Sequence, residues 1–250
     1  MALSAGFRIT TSSPNGEQTV HATMLVDATG RRALLARHHH LRRRTLDSQI
    51  AAIAFLTPNN HTAPLCDATT TIEATQDGWW YAALLPDHRL AVVWFTDPDL
   101  LAKQTAWRPA GWWNLLSTTD LVGPLVTTHD YEIPRQIDIA PAGSSVLTQP
   151  TGDGWIAAGD AAASYDPLSS HGIGSALASG RSAARAIAAT LTGDPTAFPT
   201  YRDNLLASYT HYFYTRHAYY AGEPRWPTSP FWLRRHGAQP PSASTKLQTD

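Results

Sequence analysis

A single cysteine, Cys66, stands in 250 residues, so no internal disulfide can form. With no Cys-x-x-Cys partner it is no metal site either, and it reads as a small buried or half-buried side chain. No run approaches the roughly 18 to 20 apolar residues of a bilayer-spanning helix, and the N-terminus lacks a basic-then-apolar signal pattern. The expectation is a cytoplasmic chain with no membrane partner. An excess of charge is missing too: the formal net charge is −1, and no basic face repeats along the sequence. That leaves no overall field for phosphates and excludes nucleic acid as a partner. Disorder is excluded by 43% hydrophobic and 16% charged residues. The length allows one large domain or two intertwined small ones.

What is present is strand-like at first. Residues 7–13 and 18–27 alternate around the turn signal Ser13-Pro14-Asn15-Gly16, which predicts a hairpin. The run from Ala22 to Thr29 is apolar up to its Asp and ends at Gly30-Arg31, as in a buried strand of a parallel sheet. His38-His39-His40-Leu41-Arg42-Arg43-Arg44 reads as a charged surface connection, since three consecutive histidines cannot converge on one metal. Strands follow at 50–56, 69–75, 79–85 and 89–96, separated by Asp77-Gly78 and Pro86-Asp87, and together they predict an antiparallel sheet. From Asp99 to Val126 the period is helical, interrupted by Pro109 and Gly111, with Trp112, Leu115 and Leu116 on one face. Polar sequence then runs to Pro150. A short strand at 154–158, a small-residue helix from Gly172 to Leu191 and a helix between Pro199 and Tyr220 complete the pattern. The tail after Gly237 has nothing to bury and is expected to be mobile.

Chemistry concentrates between Gly154 and Gly174. A buried strand delivers Gly159, which admits close ligand approach, and then Asp160, whose carboxylate can accept hydrogen bonds from a sugar diol. Strand ends of this kind are where nucleotide sites form. Asp166-Pro167 turns the chain, and Ser169, Ser170, His171 and Gly172 begin a helix rich in Ala and Gly. Its free N–H groups and dipole favour a developing anion. Small residues there let a flat ring or another backbone come close.

This stretch resembles the Gly-Asp region of FAD-dependent monooxygenases of the p-hydroxybenzoate hydroxylase type and of flavin-dependent halogenases. Leu25-Val26-Asp27-Ala28-Thr29-Gly30-Arg31 is similar to the Ala-Thr-Gly strand motif of the same proteins. The resemblance implies that Asp160, with Gly159, binds the ribityl or ribose hydroxyls of FAD. It places Ala28, Thr29 and Gly30 near the adenosine half, and Pro167, Ser169, Ser170, Gly172 and Ile173 along the isoalloxazine. A closer similarity is to flavoprotein maturases of tryptophylquinone enzymes, carried by Asp77-Gly78-Trp79-Trp80-Tyr81, Asp166-Pro167-Leu168-Ser169-Ser170 and the segment from Tyr219 to His236. The chain departs from that pattern at His171, where a Gln is expected, and at Pro224, which interrupts a Glu-Arg-Arg-Trp run. The halogenase Trp-x-Trp-x-Ile-Pro element is replaced by Trp79-Trp80-Tyr81-Ala82-Ala83-Leu84, and the only lysines, Lys103 and Lys246, sit in unlike contexts. Halogenation therefore ranks below hydroxylation.

The implied fold class is mixed α/β: an FAD-binding Rossmann-like domain lacking its first βαβ unit, an antiparallel-sheet substrate domain, and C-terminal helices. The expected division is 1–37 and 151–195 for the FAD-binding part, 38–150 for the substrate domain and 196–250 for a helix and tail. The phosphate-cradling Gly-x-Gly-x-x-Gly is absent from the sequence. The expectations are a truncated gene, a split gene with a complementing N-terminal polypeptide, or a remnant, with FAD held weakly by this chain alone. Catalysis falls to His171, as flavin donor or general base, unless it only caps the helix. Trp79 and Tyr81 either wall a substrate pocket or pack a core. Trp226, Phe231 and Trp232, among Arg225, Arg234 and Arg235, either grip a protein partner or anchor a loop. Two functions stand: an FAD-dependent hydroxylase of an aromatic ring, with a Trp side chain of a partner quinoprotein precursor as one variant, or a non-catalytic partner-binding subunit.

Overall fold

The computed structural model describes residues 6–59 and 69–237. Cys66, Lys246 and the tail beyond Gly237 lie outside the described residues. Contacts divide the chain into two compact units, one of residues 1–47 and 144–216, the other of residues 48–143 and 217–250.

In the first unit Phe7–Ser13 pairs antiparallel with Gly16–Ala22, closed by the two-residue loop Pro14-Asn15 within the turn signal Ser13-Pro14-Asn15-Gly16. The second strand does not run on to Asp27. It stops at Ala22, and Leu25–Asp27 is a separate strand, parallel to Trp155–Ala157. The parallel pairing follows the expectation; the burial does not, because Val26 is 49% exposed while Asp27 is buried. Thr151–Gly152 pairs antiparallel on the other side of Trp155–Ala157. A second small sheet joins Ala163–Ser164, Ser145–Leu147 and Arg43–Thr45. The histidine-arginine stretch is thus more than a surface connection: a helix Leu34–His38 ends in it, His39 stacks on Trp155 at 5.6 Å, and Arg43 binds Ser145 across the sheet. Helices Gly172–Leu191 and Ala197–Ala221 appear where the periodicity put them, the second belonging to this unit as far as Arg216. Leu147, Trp155, Ala161, Ala162, Tyr209 and Tyr212 form one core, and Ile156, Ala183, Ala186 and Tyr201 another. Alanine on the buried side of Gly172–Leu191 is what lets that helix approach the strand closely.

The second unit is built on a five-stranded antiparallel sheet in the order Thr71–Thr75, Gly78–Leu84, Leu90–Thr96, Ile50–Leu56, Asp138–Pro141. Gly78 makes its first hairpin possible, since φ is +156° and a Cβ would lie 2.2 Å from the carbonyl oxygen of Phe95. Alternation sends Ala52, Ala54, Leu56, Trp80, Ala82, Val92 and Trp94 to one face, packed on Leu101, Trp112, Leu116, Val122 and Val126 of three short helices. Those helices are Pro98–Lys103, Pro109–Leu116 and Val122–Thr128. Pro109 starts its helix rather than breaking it, because the first helical residue has no N–H partner to lose. The third start is held by Glu73, whose carboxylate accepts the N–H groups of Asp120, Leu121 and Val122 at 2.6, 3.0 and 2.9 Å. On the opposite sheet face Ile72, Tyr81, Val93, Ile53 and Asp138 form one cross-strand row.

The aromatic-arginine segment folds as a helix, Pro230–His236, which the sequence reading had left irregular. Phe231 and Trp232 are buried, Trp226 stacks on Trp232 at 6.0 Å, and Trp232 Nε1 donates to the Thr75 carbonyl at 2.9 Å. Arg235 donates two bonds to Asp97, at 2.8 and 3.1 Å, and lies over the Phe231 ring at 3.5 Å. These residues therefore anchor the segment. Among the described residues no helix is long and apolar enough to cross a membrane, and no group of three or more His, Cys, Asp or Glu side chains could hold a metal ion.

Candidate functional site

At the end of Trp155–Ala157 the Ala158 N–H donates to the Asp27 carbonyl at 2.9 Å, and Gly159 then turns the chain with φ +59°. The Gly159 N–H donates to Ser179 Oγ at 2.9 Å, which seats the turn on the helix Gly172–Leu191. A Cβ on Gly159 would meet Ala176 at an ordinary 3.5 Å, so the left-handed backbone, more than lack of space, is what calls for glycine. Asp160 follows with its side chain 37% exposed and one oxygen 3.4 Å from Arg31 Nε. Behind the turn Arg43 donates to the carbonyls of Asp160 and Ala161, at 2.6 and 3.1 Å, and to Ser145 Oγ at 2.6 Å. Burial, and then the Arg31 charge nearby, pull the Arg43 pKa below its ordinary value.

The Ala28, Thr29 and Gly30 loop is organised by the buried carboxylate of Asp27. It accepts the Thr29 N–H at 3.0 Å, the Thr29 hydroxyl at 2.6 Å and the Leu35 N–H at 2.8 Å. Thr29 Oγ1 in turn accepts the Leu34 N–H at 3.0 Å. Ala28 and Thr29 stay exposed, and Arg31, next to Gly30, reaches both Asp160 and the Tyr165 carbonyl. The two sequence motifs therefore meet through Arg31.

The second turn starts at Asp166, whose side chain accepts the Leu168 N–H at 3.0 Å, while Ser169 Oγ donates to the Asp166 carbonyl at 2.7 Å. Pro167 and Ser170 are exposed, Ser169 is buried, and Ser170 takes φ +55°. His171 opens the helix without capping it: its side chain makes no capping hydrogen bond. Its Nδ1 lies 2.7 Å from the Ser169 carbonyl, which makes Nδ1 the protonated nitrogen and leaves Nε2 as the acceptor. The ring packs on Tyr165 and Tyr212 at 6.2 and 5.9 Å and lines a cavity of about 420 Å³ with Ser175, Ser208 and His211. Burial raises the Tyr165 and Tyr212 pKa values. Ile173 is 81% exposed, and nothing lies within 4 Å of a Cβ built on Gly172 or Gly174.

Trp79 and Tyr81 belong to the second unit. They share the sheet face opposite the three short helices. Trp79 is buried, stacked on Phe95 at 4.0 Å, and donates from Nε1 to the Tyr220 hydroxyl at 3.2 Å. Tyr81 is half-buried.

No protein-family model matches the chain. It is 32% identical over 221 residues to LodB of Marinomonas mediterranea, named as an FAD-dependent oxidoreductase, a match covering 88% of this chain. Among solved structures, the flavin-dependent halogenase CmlS is similar with a TM-score of 0.78 at 21% identity, over 94% of this chain and 44% of its own. The peptidyl tryptophan dihydroxylase QhpG, described as essential for tryptophylquinone cofactor biogenesis, is similar with a TM-score of 0.73 at 23% identity, over 93% of this chain and 54% of its own. In fold the chain is similar to CmlS and QhpG, and in sequence to LodB. It spans 58% of the length of LodB.

The residues present fit FAD. Asp160 offers an exposed carboxylate for hydroxyls, the helix start offers uncapped N–H donors, and Gly172 and Gly174 leave room for a ring. Several supports escaped the sequence reading: Asp27, Arg31, Arg43 and Ser179. Asp27 and Arg31 stood inside the Leu25–Arg31 motif without a role of their own, and Arg43 in the charged connection; the partners of the two arginines are more than a hundred residues away and leave no local signal.

Proposed function

We propose that the chain forms part of an FAD-dependent monooxygenase that hydroxylates an electron-rich aromatic ring, with a tryptophan side chain of a partner protein as its substrate. The observation that carries this reading is the Gly159-Asp160 turn, fastened to the helix by Ser179 and facing outward beside Arg31. The identity to LodB and the fold shared with QhpG support it.

In this reading Asp160 accepts the sugar hydroxyls of FAD, and Ala28, Thr29 and Gly30 face its adenosine half. Pro167, Ser169, Ser170, Gly172 and Ile173 follow the ring system, where the first-turn N–H groups stabilise negative charge. Bound FAD supplies oxygen activation; the chain supplies positioning and exclusion of water. His171, with Nδ1–H committed to Ser169, takes a proton from the substrate ring at Nε2. Within the sheet unit, buried Trp79 and half-buried Tyr81 are the residues proposed to wall a pocket for an aromatic ring. Hydroxylation is preferred to halogenation because Lys103, the one lysine among the described residues, is 66% exposed and lies 3.9 Å from the buried carboxylate of Asp77.

A complementing polypeptide carrying the phosphate-binding unit belongs to the proposal. Leu177, 72% exposed, is an apolar side chain it would cover. The purified chain alone should be colourless or lose flavin on gel filtration. A stable yellow complex with stoichiometric FAD would overturn the weak-binding part. With the complementing unit present, His171→Ala should lower kcat; unchanged turnover would remove His171 from the mechanism. A chain that never takes up FAD, even when completed, is the partner-binding subunit of the second reading.

A further inference from the structure

Behind the Asp166 turn lies an ion cluster that the proposed chemistry does not use. Arg216, with 5% of its side chain exposed, donates from Nε to Asp166 Oδ2 at 3.0 Å and from Nη2 to Asp47 Oδ2 at 2.9 Å. The Asp166 side chain is fully buried and that of Asp47 is 13% exposed. The other Asp166 oxygen accepts the Leu168 N–H, and the Asp166 N–H donates to the Tyr212 hydroxyl at 2.7 Å, itself 2.6 Å from Ser144 Oγ. A buried carboxylate persists only when paired, so the position of Asp166 is set by the guanidinium behind it. A planar guanidinium serves two carboxylates at fixed angles, which a lysine ammonium does not reproduce.

The geometry points to Arg216 as the positioning residue for the segment from Asp166 to His171, acting through Asp166 and itself held by Asp47. Through this pair Arg216 fixes the side chain that accepts the Leu168 N–H inside the turn. Ser170 in its left-handed conformation and His171 on Tyr165 then follow from where Asp166 is held. The inference rests on the reading that this turn faces FAD, but its structural half can be tested without FAD.

Hydrogen–deuterium exchange should be followed in peptides covering 166–174 and, as a control, 90–96, for the full chain and for Arg216→Lys, Arg216→Met and the double variant Asp166→Asn/Arg216→Met. FAD affinity is measured in parallel by quenching of flavin fluorescence, with the complementing unit present. The single variants are expected to exchange at least tenfold faster at 166–174 and to bind FAD at least tenfold more weakly. The double variant removes one of the carboxylates left unpaired by Arg216→Met, so its thermal midpoint should recover while exchange at 166–174 stays fast and affinity stays low. Recovery of all three together would show that Arg216 serves folding only, and overturns the proposal. Unchanged exchange at 166–174 in both single variants overturns it as well. If the unmodified chain binds no FAD even when completed, the flavin reading fails, and the exchange data alone decide whether Arg216 holds the turn.

Discussion

The N–H of Gly159 and the Oγ of Ser179 meet at 2.9 Å across twenty residues of sequence. The bond makes the turn and the helix one structural piece. Gly159→Ala must hold an alanine at φ +59° and is expected to cost about 1–2 kcal/mol. Ser179→Ala leaves the Gly159 N–H short of its acceptor, with an expected cost of about 1 kcal/mol. Urea unfolding of both variants measures this, and equal stability to the parent would contradict it.

Glu73 offers a second test, in the sheet unit. Its carboxylate satisfies three N–H groups at the start of Val122–Thr128, so Glu73→Ala should destabilise by roughly 2–3 kcal/mol. Glu73→Gln keeps one acceptor oxygen and should lose less. If the two variants unfold at the same urea concentration, the capping argument fails.

Asp97 balances the buried cation of Arg235 and also accepts Arg234 at 2.8 Å. Asp97→Ala strands Arg235 and is expected to cost about 3–5 kcal/mol. Asp97→Ala with Arg235→Met should recover part of that loss. A double variant less stable than the single one would count against this account.

Alkaline pH addresses the tyrosines. Burial raises the pKa of Tyr131, Tyr165, Tyr201, Tyr209 and Tyr212 above the ordinary value. In the unfolded chain these groups ionise near pH 10 or so, and in the folded chain later, so the unfolded state loses protons first. Stability should be unaffected by them below about pH 10 and fall as pH rises beyond it. Absorbance at about 295 nm should show part of the tyrosines titrating early and these five only with unfolding; one smooth titration with the fold intact would exclude their burial.

Much of the fold was legible because it rests on local periodicity. Trp79, Trp80 and Tyr81 alternate, so two faces of a strand could be assigned before any partner was known, and the sheet register bears this out. The turn signal Ser13-Pro14-Asn15-Gly16 set the first hairpin in the same way. Short elements were lost where their stability comes from distant pairing. Asp138–Pro141 and Arg43–Thr45 carry no alternation long enough to read, and exist because Ile50–Leu56 and Ser145–Leu147 offer edges to pair with. Pro230–His236 is short for a helix on its own and is held by burial of Phe231, Trp232 and Arg235.

For the candidate site the division is similar. Gly159, Asp160 and the run from Pro167 to Ile173 announce themselves by residue type, since a left-handed turn, a strand-end carboxylate and a small-residue helix start are all local demands. By itself the sequence determined much of the strand and helix pattern and the presence of a Gly-Asp turn. Only the tertiary structure decided what holds that turn: Ser179, Arg43 and Arg31 around Asp160, and Arg216 with Asp47 behind Asp166. The physical reason is that an ion pair or hydrogen bond between residues far apart leaves no periodic trace, whereas backbone conformation and burial of a face are written into neighbouring residues.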